Sequence, residues 1–247
     1  MIVVPDGPLS DLNFETLIPP GPTPRYWVES AAISVAPSLA LLVDKQQGVF
    51  RPESVLAAGS AVQADRNLPK LGDEELQILN KTYGSRCTLL KGAGATPASF
   101  LQAHPERYSL IHLSAHAIPN PESPLNSYFV LSPGADDGYK LYAHDLAKLR
   151  LGANLVILSA CQSTGKNVPG EGLVGLAWAV LRTGAHNVIA SLWPVAASAT
   201  AGLMSRFYFH LDEGESPSQA LHSAKLDLAK RSGSTPYEWA AFQVYSR

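Results

Sequence analysis

Two apolar stretches in the second half of the chain end in the same way. Residues 110–116 read Leu-Ile-His-Leu-Ser-Ala-His, and residues 155–161 read Leu-Val-Ile-Leu-Ser-Ala-Cys. Each is of strand length, and turn formers follow it: Pro119-Asn120-Pro121 in one case, Ser163-Thr164-Gly165 in the other. Such runs are the pattern of strands buried on both faces of a parallel sheet. Around them the pattern predicts strands over 108–115, 128–132, 155–160 and 187–192. Helices are expected near 143–149, from Glu171 to Arg182, and over 197–212 and 217–231, before an aromatic tail at 237–242.

The first half is less regular. It predicts a strand at 2–4 stopped by Pro5-Asp6-Gly7, a short apolar element at 14–18, and extended structure over 26–35. Pro37-Ser38 opens a leucine-rich helix to about Val43. A strand at 54–58 precedes a helix opened by Gly72-Asp73-Glu74-Glu75. Leu76, Ile78, Leu79 and Tyr83 form its buried stripe and Gly84 its stop. Residues 86–90 return as a strand. Strand–helix alternation of this kind predicts right-handed crossovers and a mainly parallel sheet flanked by helices, a three-layer α/β/α architecture.

Glycines at 92 and 94 give the stretch Lys91-Gly92-Ala93-Gly94-Ala95-Thr96-Pro97 the look of a phosphate loop. It lacks the Gly-Lys-Ser/Thr ending and the dinucleotide spacing. The favoured reading is a turn with Thr96 as N-cap and Pro97 at the first helical position. A nucleotide-binding function would rest on this loop alone.

Composition narrows the classes. A chain of 247 residues can bury a sizeable core, as one large α/β domain or two fused lobes. A net charge of −2 without a Lys/Arg cluster argues against nucleic acid or an anionic membrane as the main partner. No apolar stretch is long enough to span a bilayer, and the amino terminus carries no basic-then-apolar signal. Two cysteines, Cys87 and Cys161, argue against a disulfide framework and for a cytoplasmic setting.

His116 and Cys161 fall at predicted strand carboxyl ends, the edge where open α/β sheets bind ligands. A thiol becomes a strong nucleophile once deprotonated, and an adjacent imidazole supplies the acceptor. The two are a candidate catalytic dyad. A zinc site on His112 and His116 fails on distance, because four strand residues span about 13 Å. His112 reads as a core histidine, Asp145 as a local partner of His144, and no metal or cofactor is expected.

The residues resemble the CHAT peptidases, caspase-like domains in the clan of caspases, separases and gingipains, which usually occur beside tetratricopeptide repeats. The matching stretches are 111–116, 155–165, 170–181, 184–194 (Gly-Ala-His-Asn-Val-Ile-Ala-Ser-Leu-Trp-Pro) and 236–242. Val4-Pro5-Asp6-Gly7, Phe14-Glu15 and Ala36-Pro37-Ser38 match more loosely. The resemblance implies a caspase–hemoglobinase-like fold over 1–247, with a loosely matching part at about 1–107 and a dyad-bearing part at about 108–247. In caspases a histidine stands roughly 50 residues before a Gln-Ala-Cys motif; here 45 residues separate positions 116 and 161, and the motif is Ser-Ala-Cys.

The resemblance further implies a cysteine endopeptidase using Cys161 and His116, with the backbone amides of Ala117 and Cys161 as the oxyanion hole. The family usually has glycine where Ala117 stands, so an amide needed at positive φ would be strained here. Ser159, Trp193 and Ala196 are the implied substrate-binding residues. Many relatives carry an acid just after the Pro-Val of that loop; Ala196 and Ala197 stand here, which predicts a neutral or apolar substrate side chain. The expected partners are a protein or peptide substrate and a regulatory protein with tetratricopeptide or other sensor modules. The alternative is a catalytically inactive CHAT pseudopeptidase, an interaction module binding extended peptides by strand addition.

Overall fold

The computed structural model describes residues 1–39, 42, 49–61, 68, 71–135, 138–160, 166–168, 172–231 and 233–247. Cys161, Glu171 and, within the helix expected from Pro37 to about Val43, residues 40, 41 and 43 lie outside the described residues.

In chain order the first strands are β1 (Ile2–Val3), β2 (Ser34–Val35) and β3 (Val55–Ala61). Helix α1 (Glu74–Tyr83), β4 (Cys87–Gly92), α2 (Pro97–Gln102) and β5 (Leu110–Ser114) follow. Next come β6 (His116–Ile118), β7 (Tyr128–Val130), β8 (Lys140–Tyr142), α3 (Ala143–Leu146) and β9 (Leu155–Ser159). The chain continues through β10 (Lys166–Val168), β11 (Gly172–Val174), α4 (Leu176–Arg182) and β12 (Asn187–Ser191). It closes with α5 (Ala197–Asp212), α6 (Pro217–Ala229), α7 (Pro236–Trp239) and β13 (Phe242–Ser246).

Eight strands form the main sheet in the order β1-β2-β13-β12-β9-β5-β3-β4. Every pairing in it is parallel except β12 with β13. The strands β6, β7 and β8 make a small antiparallel sheet beyond the end of β5.

All five residues of β5 and all five of β9 are buried, because helices cover both faces of the sheet. Alternation assigns the faces. Leu110 of β5 and Leu155 and Ile157 of β9 pack with α1, α5 and α6. Ile111, Leu113, Val156 and Leu158 pack on the opposite face, with Phe100 of α2 and Leu176, Val180 and Leu181 of α4. Sequence periodicity captured these core strands and α1, whose stripe buries Leu76, Leu79 and Tyr83 and which ends at Gly84 with φ 53.

Two expectations need correction. Residues 26–35 are not continuously extended: Trp27–Glu29 is a 3-10 turn, closed by the Glu29 carboxylate accepting from the Tyr26 amide at 2.9 Å. That local bond outcompetes strand pairing. Residues 172–174 are β11, in a hairpin with β10, rather than the opening turn of a helix. Gly175, at φ 147 and ψ −152, is far from helical geometry, so α4 begins only at Leu176. The aromatic tail yields α7 and then a strand, β13, seated between β12 and β2.

Candidate active site

The order of strands reverses at β3: the chain goes out to β4 on one side and returns to β5 on the other. Open α/β sheets bind ligands beyond the strand carboxyl ends at such a reversal. There, a cavity of about 290 Å³ opens between the ends of β5, β9 and β12, the first turn of α1, and the segment leading into α5.

The floor of the cavity is polar. Ser114 ends β5 and Ser159 ends β9, and the register pairs them directly. Ser114 Oγ donates to Glu75 Oε1 at 2.9 Å, and Ser159 Oγ donates to Glu75 Oε2 at 2.7 Å. Glu75, in the first turn of α1, thus places a carboxylate in the cavity, where no Lys or Arg is among the described lining residues. Gly59 of β3 pairs with Ser114, and a Cβ there would fall 2.4 Å from the Ser114 carbonyl oxygen. Only glycine lets β3 approach at this level.

Behind Glu75 sits His112, fully buried. Its Nδ1 is 2.7 Å from the Tyr208 hydroxyl of α5, which fits a core histidine. Its Nε2 lies 3.3 Å from Glu75 Oε2 but is not aligned for a hydrogen bond.

His116 begins β6, half-buried, and its side lines the cavity. Ser159, Trp193 and Ala196 line the same cavity, as does Ala160, the residue before Cys161 in sequence. Ser191 Oγ, at the end of β12, donates to the Ala160 carbonyl and fixes the end of β9. The Trp193 ring stacks on Tyr237 at 5.9 Å, with its Nε1 donating to the Tyr237 carbonyl at 2.8 Å. That holds the indole as one wall of the cavity. Ala117 of β6 pairs with Phe129 of β7, its side chain in the core. The strain expected of an alanine there is absent, because among the described non-glycine residues only His104 has positive φ.

Glu75 escaped sequence reasoning, and it puts an acidic side chain in the cavity that Ala196 and Ala197 also line. Its sequence signal, an acidic pair after Gly72-Asp73, is also that of any helix start.

Other readings recede. Thr96 caps α2 by accepting from the Ser99 amide at 3.0 Å, and Pro97 opens the helix, so the 91–97 segment runs from the end of β4 through a turn into α2. Cys87 is in β4, where burial pushes its thiol pKa up and disfavours a reactive thiolate. Among the described residues no group of three His, Cys, Asp or Glu side chains could hold a metal ion. No described helix is long and apolar enough to cross a membrane.

Comparisons agree with this architecture. Tetratricopeptide repeat protein 28 of Mus musculus is 39% identical over 105 residues, which is 42% of this chain and 4% of that protein. Its Homo sapiens counterpart is 35% identical over the same length and shares. The chain therefore matches only a small fraction of these relatives. Among solved structures, the Saccharomyces cerevisiae separase–securin complex aligns with TM-score 0.58 at 15% identity, covering 88% of this chain and 14% of that one. The complex of Porphyromonas gingivalis RgpB pro- and mature domains aligns with TM-score 0.51 at 15% identity, covering 79% and 47%. At such identity the likeness is one of fold, and the fold is caspase-like. Residues 1–247 match the CHAT domain, and the chain belongs to the CHAT domain family.

Proposed function

We propose that the chain is a caspase-like cysteine endopeptidase in which Cys161 is the nucleophile and His116 its acid–base partner. The observation that carries the reading is His116 on the rim of a cavity whose wall includes Ala160, the residue joined to Cys161. The Cys161 thiolate attacks a peptide carbonyl carbon, forming the C–S bond and an oxyanion. Protonation of the amine by His116 accompanies cleavage of the C–N bond. Water, losing a proton to His116, then attacks the acyl-enzyme; the C–S bond breaks and the thiol is regenerated. The amides of Cys161 and Ala117 are the proposed donors to the oxyanion, each worth about 3–4 kcal/mol of transition-state stabilisation. Control falls to a protein partner or to tetratricopeptide repeats in a longer chain, in keeping with the name of the relatives. A cytoplasmic setting fits the two cysteines.

The test follows iodoacetamide labelling of Cys161 by mass spectrometry across pH, with Cys87 as the internal control. Rapid labelling of Cys161 below the free-thiol pKa of about 8.5, lost in His116→Ala, is expected. Equal, slow labelling of both cysteines that persists with a candidate activator would sink the endopeptidase reading and leave a peptide-binding module.

A further inference from the structure

We infer that the cavity beside His116 receives an arginine side chain of the substrate, with Glu75 as the residue that reads its charge. The inference rests on the endopeptidase reading and deepens it.

Three serines around the cavity spend their hydroxyl hydrogens on protein acceptors. Ser114 and Ser159 donate to Glu75, and Ser191 donates to the Ala160 carbonyl. What Ser114 and Ser159 offer a ligand is lone pairs. A carboxylate has about four acceptor positions, so each Glu75 oxygen keeps room for a further donor. The two serines also fix the plane of the carboxylate from the ends of two paired strands. A rigid, acceptor-rich floor suits a head group that only donates. Guanidinium, with five donors in a planar fork, fits such a floor better than ammonium, a point charge.

Charge points the same way. Glu75 is half-buried, no Lys or Arg is among the described lining residues, and His112 Nε2 makes no hydrogen bond to it. A carboxylate held away from solvent without an aligned cation among the described residues favours a cationic ligand. Above the floor, Leu71, Trp193, Val195 and Phe242 are apolar walls. Arginine has the matching profile, an apolar stem carrying a charged tip.

The test separates the pocket from the chemistry. N-acetyl-arginine amide and its neutral isostere N-acetyl-citrulline amide are titrated into the full chain by NMR or calorimetry. The arginine amide should bind saturably, and the citrulline amide roughly ten- to a hundredfold more weakly, as expected for hydrogen bonds to a charged group. Glu75→Gln should bring the two ligands to equal affinity, while Glu75→Asp keeps a preference for arginine. The wild-type comparison needs no variant, so misfolding of either one cannot mask the result. Equal binding of both amides, or binding of neither, overturns the arginine inference. A peptide library cut only after neutral residues overturns it too and keeps the endopeptidase. Arginine preference without any cleavage keeps the pocket and removes the endopeptidase.

Discussion

Ser159, at the end of β9, donates its hydroxyl hydrogen to Glu75 Oε2 at 2.7 Å across 84 positions of sequence. Ser114, its neighbour in the sheet, does the same to Oε1 at 2.9 Å. The two bonds fasten the first turn of α1 to the strand ends on which the cavity is built.

Removing either hydroxyl should loosen that turn. Hydrogen bonds to charged groups contribute about 1.5–3 kcal/mol, so Ser159→Ala and Ser114→Ala should each cost about 1.5 kcal/mol of stability. The two share one acceptor group. Once the first bond is lost, the carboxylate can turn towards water, and the second loss costs less. Urea unfolding of wild type, both single variants and the double variant measures the coupling. Strictly additive losses would mean that Glu75 is not their common anchor.

What the sequence discloses depends on how local the determinant is. β5 and β9 are legible because helices bury both faces, and a run such as Leu-Val-Ile-Leu has few other uses. The turn at Trp27–Glu29 was obscured because Tyr26, Trp27 and Val28 favour strands, whereas a side chain three residues on decides the outcome. β13 becomes a strand only between β12 and β2, partners from opposite ends of the chain. Glu75 is the extreme case. Its acidity is plain in the sequence, but its role is set by serines 39 and 84 positions away.

Alkaline pH should expose a weakness on the helical face. Tyr83 is buried, and its hydroxyl has no hydrogen-bond partner among the described residues. Burial first, and the Asp212 charge second, push its phenol pKa well up. The folded pKa therefore exceeds the unfolded value of about 10, so stability is fully present below about pH 10 and is lost as pH rises beyond it. The loss approaches about 1.4 kcal/mol per pH unit for one phenol. Tyr83→Phe should be near neutral at pH 7, since it deletes an unpaired hydroxyl, and should flatten the alkaline decline. Urea unfolding at pH 7 and pH 10.5 checks both halves; the same alkaline slope in wild type and Tyr83→Phe would contradict the assignment.

The last prediction concerns Glu15 and Lys225, a buried ion pair joining the 3-10 turn at 14–16 to α6. Burial pushes the Glu15 pKa up and the Lys225 pKa down, and each charge pulls its partner back towards the ionised form. Lys225 Nζ also donates to the Phe242 carbonyl at 2.5 Å, where β13 begins beside the cavity. Lys225→Met strands a carboxylate and a carbonyl in the core, and breaking such a pair from one side costs about 3–5 kcal/mol. At this chain length that lowers the melting temperature by roughly 10 °C. Adding Glu15→Gln to Lys225→Met removes the stranded charge and should restore much of the loss. Recovery stays incomplete, because the Phe242 carbonyl still lacks its donor. Differential scanning calorimetry of the single and double variants decides the matter. If the double variant is no more stable than Lys225→Met alone, the lysine acts through its bond to β13 rather than through the ion pair that joins the two ends of the chain.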